Sequence, residues 1–243
     1  MRHVVWCSAT LSLGAFFYVL TLEPMDEKRT PRAAAMNQTA SRATLITQIR
    51  RSLAVGQINT AERQSIELLE HHPEDLGAVF YRALAHQEMG QDEEARSRWA
   101  VLAQMTLGLE SWVQRYSSRQ VQYYRAWGLT GLGKTEAARA LFAQIADDLE
   151  DSSRDGGGEI LASGVHYNLA CYRSMAGEPE RAMSHWRSAI ELGYAQNNND
   201  NGWWMVDPDL ESLHGDDRFW EIGMESYEHG VRDARERSGG GDG

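Results

Sequence analysis

Val165 to Tyr194 reads VHYNLACYRSMAGEPERAMSHWRSAIELGY, and apolar residues recur through it at helical spacing on both sides of one short break. The break is Ala176-Gly177-Glu178-Pro179. Glycine ends a helix because it takes the left-handed conformation cheaply. Proline fits the first turn of the next helix, where its missing N–H costs nothing. Ala182 then falls where two antiparallel helices come closest and only a small side chain fits, and Trp186 follows one turn later. The stretch predicts a helix, a tight turn and a second helix folded back on the first.

Working outward, the same glycine-then-alanine spacing of five residues occurs at Gly56/Ala61, Gly90/Ala95, Gly133/Ala138 and Gly177/Ala182. The first two pairs are 34 residues apart, and the later steps are 43 and 44, so the later repeats carry insertions of about nine or ten residues. Polar residues suited to a helix start follow the later glycines: Gln91-Asp92-Glu93, Lys134-Thr135-Glu136 and Glu178-Pro179-Glu180. From residue 41 onward strand-like alternation is absent.

In this pattern the chain resembles the tetratricopeptide repeat (TPR) family. That family places a small residue seven before the turn glycine, and Ala83, Ala126 and Ala170 match while Ile49 does not. It places a bulky aromatic four after the second-helix alanine, matched by Trp99, Phe142 and Trp186 but not by Ser65. A proline closes the family repeat twelve after that alanine; Pro73 fits, whereas Leu107, Glu150 and Tyr194 do not. The resemblance covers roughly residues 42–220 and implies an all-α, right-handed helical-repeat solenoid of about four TPR-like helix pairs. The first repeat is degenerate, as end repeats often are. WWMVDPDLESLHGDDRFWEI, residues 203–222, looks like the closing segment found after many such arrays, with Asp209-Leu210 and Phe219-Trp220 expected to cap the last pair.

The flanks differ in kind. Val4 to Leu22 holds no charge over 19 residues, long enough to cross a bilayer as a helix. Residues 1–24 therefore read as a membrane anchor or an export signal, with Ala33-Ala34-Ala35 as the candidate cleavage site. Residues 25–40 read as a polar linker, 41–229 as the solenoid with its cap, and 230–243 as a disordered tail ending SGGGDG. A membrane-anchored or exported location is expected, or a cytoplasmic one if Met25 or Met36 is the true start. DDLEDSSRDGGG, residues 147–158, reads as an acidic flexible loop.

A net charge of −11 with no basic run argues against nucleic-acid binding. The two cysteines, Cys7 and Cys171, stand far apart and suggest no disulfide framework. His86, His166 and His185 show no zinc-site spacing, so no metal or other cofactor is expected. Gly128 to Thr135 spells G-x-x-x-x-G-K-T, the letters of a phosphate-binding loop, but a helical segment precedes it where a strand is needed. It carries the enzyme-like alternative, a nucleotide-dependent regulator. No catalytic residue is expected, and the leading reading is a module that binds a protein or peptide, with a self-assembling homo-oligomer as a further alternative.

The resemblance also implies where a partner would sit. In TPR-like folds the first helix of each repeat lines the concave face. Positions six and ten before each turn glycine give Arg50 and Ile46, Leu84 and Phe80, Trp127 and Tyr123, and Cys171 and Tyr167. Arg50, Phe80, Leu84, Tyr123, Trp127 and Tyr167 are the candidate partner-binding residues. Only Arg50 has the character of the family's carboxylate clamp, so an apolar or amphipathic segment is the expected ligand. The competing expectation is that the insertions fold back and fill this groove.

Overall fold

The structure is a computed structural model and describes residues 41–104, 116–155, 162–194 and 202–224. The described residues all belong to one unit, Ala40–Gly243. The anchor, linker and tail assignments lie outside the described residues. No described helix is long and apolar enough to cross a membrane.

The described part of this unit is helical, with no strand among the described residues. Its helices are α1 (Arg42–Ala54), α2 (Ile58–His71), α3 (Leu76–Glu88), α4 (Asp92–Gln104), α5 (Ser118–Gly131), α6 (Thr135–Asp155), α7 (Ser163–Met175) and α8 (Pro179–Glu191). Two short 3-10 segments, Trp203–Met205 and Pro208–Leu213, follow, and residues 217–224 are again helical. Each helix packs on its neighbours in the chain, and α3 also touches α1 and α5. The first helices of successive repeats thus share one face. This is the all-α helical repeat that the glycine/alanine spacing predicts.

The turns form for the anticipated reason. Gly56, Gly90, Gly133 and Gly177 all have φ between 69° and 81°. After each, the next amide reaches back to the last turn of the preceding helix: Gln57 N–H to Ser52 O at 2.8 Å, and Gln91, Lys134 and Glu178 to His86, Leu129 and Arg173 at 2.9 Å. These are Schellman closures, which satisfy carbonyls that the helix end would leave unpaired. Ser41, Asp75 and Ser117 cap α1, α3 and α5 through their side chains.

Ala61, Ala95, Ala138 and Ala182 are all buried, as are Ser65, Trp99, Phe142 and Trp186 one turn later. Even the unmatched Ser65 is accommodated, because its hydroxyl bonds the Ala61 carbonyl at 2.8 Å. Substituting Ala95, Ala138 or Ala182 by leucine should overpack a helix pair and cost roughly 1–3 kcal/mol each. Urea unfolding checks this, and unchanged midpoints in all three variants would contradict the register.

Residues 147–155 depart from the sequence expectation. They continue α6 as regular helix to Asp155. Asp147 and Glu150 lie one turn apart and both bind Arg173 of α7, at 2.6 and 2.7 Å. A helix holds the two carboxylates on one side at that spacing, and a loop does not.

Candidate functional site

The face shared by α1, α3, α5 and α7 is aromatic at its centre. Phe80 stands between Tyr81, Trp99, Tyr123, Tyr124 and Trp127, with ring centroids 5.1 to 6.1 Å away. Of the six candidate positions, Phe80, Leu84, Trp127 and Tyr167 are buried, Tyr123 is half-buried and Arg50 is exposed as a residue. They are not the walls of an open groove.

What covers them is the chain's own segment 203–213. Its first 3-10 turn reaches α1 and its second packs on α7. Asp209 Oδ1 accepts from Trp127 Nε1 at 2.7 Å, and its Oδ2 accepts from the Tyr123 hydroxyl at 3.0 Å. Asp207 Oδ2 accepts from the Tyr167 hydroxyl at 2.5 Å and from Trp203 Nε1 at 2.7 Å. Its Oδ1 accepts the Asp209 amide at 3.0 Å, the side-chain cap that starts the second turn. The Arg50 guanidinium lies 5.2 Å over the Trp203 ring, while its Nε donates to the Tyr81 hydroxyl at 2.7 Å. Leu210, Leu213 and Phe219 are buried in one cluster with Ala170, Ala182 and Trp186. Among the described residues, the segment after the fourth repeat covers these positions, where the competing expectation had the insertions.

Asp207 and Asp209 are both buried, with Cys171 beneath them. Burial pushes both carboxyls above the ordinary carboxylate range, Asp209 to about 8, and the negative neighbour Asp207 adds to that rise. The indole and phenol hydrogens and Arg50 pull the other way. Burial also raises the Tyr123, Tyr167 and Cys171 groups well above their usual values. Cys171 Sγ and one oxygen from each aspartate lie within 4.8 Å of one another, the spacing of a metal-ligand set. The chemistry of the surroundings is opposite. The carboxylate oxygens already receive N–H and O–H hydrogens, whose positive ends face the centre, and burial favours the thiol over the thiolate that a metal needs.

The raised carboxyls fix the sign of a pH effect. The docked segment holds protons that the free segment releases, so docking is strongest below the ordinary carboxylate value of about 4. It weakens as pH rises toward the docked value of about 8. Alkylation of Cys171, referred at each pH to the denatured chain, should therefore accelerate between about pH 5 and about pH 8. A flat or falling profile would contradict this.

No family model and no curated protein matches the chain. Among solved structures it is similar to "MamA 41-end from Desulfovibrio magneticus RS-1", at 14% identity and a TM-score of 0.30, over 82% of this chain and 98% of that one. It is also similar to "Crystal structure of MamA", at 10% identity and a TM-score of 0.28, over 77% and 95% of the two chains.

The phosphate-loop letters at Gly128–Thr135 do not form such a loop. Gly128 to Gly131 belong to α5. The Leu132, Gly133 and Lys134 amides donate to Gly128, Thr130 and Leu129 carbonyls at 2.9 to 3.1 Å, so none is free to cradle a phosphate. Both helical glycines have a packing role. A Cβ on Gly128 would come 2.5 Å from the Ala103 nitrogen, and one on Gly131 would come 2.2 Å from the Trp99 ring.

Proposed function

We propose that this chain is a protein-binding helical repeat whose concave face takes a segment presenting an indole followed, four and six residues later, by two carboxylates. Trp203, Asp207 and Asp209 fill that place when no partner is present. One observation carries the reading: Tyr123, Trp127 and Tyr167, all groove positions, each donate a hydrogen bond to Asp207 or Asp209. The ligand is therefore acidic as well as aromatic, which refines the apolar or amphipathic segment expected from the sequence. A tethered segment acts at an effective concentration on the order of millimolar, so a partner has to bind more tightly or arrive when the tether is weakened.

The test uses the full chain carrying Asp207→Ala and Asp209→Ala, titrated with a synthetic peptide of residues 202–214. Saturable binding that disappears when Tyr123 and Trp127 are also changed to phenylalanine supports the proposal. No binding to a folded, released chain overturns it. Concentration-dependent growth in light scattering by the unmodified chain that Tyr123→Phe/Trp127→Phe abolishes would identify the incoming segment as that of a second copy.

The same proposal places the module at a membrane through Val4–Leu22. Recovery of the intact chain in the soluble fraction after cell breakage would contradict that part alone.

A further inference from the structure

Outside the contacts of segment 203–213, the first and second helices of the fourth repeat bring two imidazoles together. His166 on α7 and His185 on α8 have their Nδ1 atoms 3.1 Å apart and their ring centroids 5.4 Å apart. Both rings are half-buried. His185 Nε2 lies 3.3 Å from Glu150 Oε1, on α6. That carboxylate fixes the His185 proton on Nε2 and leaves its Nδ1 as a lone pair aimed at His166. Without a cation, His166 supplies the Nδ1 proton that lies between them.

We propose that His166 and His185 bind one divalent late first-row ion, such as Zn2+ or Cu2+, through their two Nδ1 atoms. Bonds of about 2.0–2.1 Å at a tetrahedral angle place two nitrogens about 3.3 Å apart, a few tenths of an ångström wider than the pair, and each ring also has to turn so that its lone pair leaves the other nitrogen and meets the ion. A carboxylate on the far nitrogen of a ligating histidine orients the ring and raises its donor strength, and Glu150 already stands there. The two helices that carry the pair pack closely, with Ala170 and Ala182 wholly buried between them.

The surrounding charge is mixed: Glu150 favours positive charge at His185, and Arg173 and Arg181 oppose it. Asp147, Glu150 and Glu178 form one network with Arg173 and Arg181, three carboxylates against two guanidiniums. Burial lowers the basicity of both imidazoles, which keeps them neutral at physiological pH. Binding moves the His166 proton from Nδ1 to Nε2 through solvent, so no net proton is released when both rings start neutral. Partial exposure leaves the remaining coordination positions to water.

The experiment is calorimetric titration of the purified full chain with Zn2+ and, separately, Cu2+, in a buffer that does not chelate. One ion per chain is expected. His166→Gln and His185→Gln should each weaken binding tenfold or more, while His71→Ala/His72→Ala, a pair adjacent in sequence and elsewhere in the fold, leaves it unchanged. The melting temperature should rise with Zn2+ in the unmodified chain and in neither glutamine variant; circular dichroism without metal confirms that both variants fold. Binding that survives in both glutamine variants, or none in the unmodified chain, overturns the proposal.

Discussion

Changing Asp207 and Asp209 together to alanine should free segment 203–213 while the repeat helices stay folded. Five donors now end on these carboxylates: two indoles, two phenols and the Asp209 amide. With the segment docked and its carboxylates gone, each stranded donor costs roughly 1–3 kcal/mol. Releasing the segment lets water satisfy them, so undocking is the cheaper response. The burial of two carboxylates, itself unfavourable, ends at the same time and offsets part of the loss. Cys171, buried beneath both aspartates, reports the change. Its alkylation should accelerate about tenfold for every 1.4 kcal/mol of docking lost. The rate is read by mass on the peptide holding Cys171, which separates it from Cys7. Helical circular dichroism should hardly change, because the docked turns are short.

Arg173→Met should be the most destabilising single change outside the aromatic core. Arg173 is wholly buried and binds Asp147, Glu150 and Glu178 at 2.6, 2.7 and 3.2 Å, joining α6 to α7 and to the turn before α8. Breaking a buried pair by removing one partner costs roughly 3–5 kcal/mol. The low end applies here, because Asp147 is 60% exposed and Glu178 32%, so both rehydrate. Glu150, only 12% exposed, carries most of the penalty, lessened because Arg181 and His185 stay bound to it. A loss of about 3 kcal/mol lowers the melting temperature by roughly 6–12 °C in a chain of this size. Arg173→Lys should lose a smaller part, since an ammonium cannot reproduce the fork to several carboxylates. A shift of less than about 2 °C in Arg173→Met would show that the network is not coupled to the fold.

The repeats were legible because their signal is local. A glycine at the left-handed turn and an alanine five residues on lie within one helix pair, and the spacing alone places both. The acidic end of α6 was misread because Asp147 and Glu150 look like loop residues until Arg173, more than twenty positions later, is set against them. The segment that covers the candidate residues was illegible for the same reason at longer range. Tyr123 and Trp127 meet Asp209 across 86 and 82 positions, and no periodicity links them. The sequence put aromatic residues on the shared face, and the structure has them there. It also marked Asp209 and Leu210 as part of a closing segment. What it lacked was a signal that this segment lies across the first helices of the repeats. Indole and phenol donors facing inward, with no acid of their own repeat to receive them, were the available clue.

Hydrogen exchange of the Trp127 indole N–H, followed by nuclear magnetic resonance, tests the docked segment most directly. With Asp209 accepting at 2.7 Å, this proton should exchange far more slowly than an exposed indole, together with that of Trp203. Asp207→Ala/Asp209→Ala should bring both toward the free rate. A Trp127 indole that exchanges at the free rate in the unmodified chain would mean that segment 203–213 does not cover the first helices of the repeats.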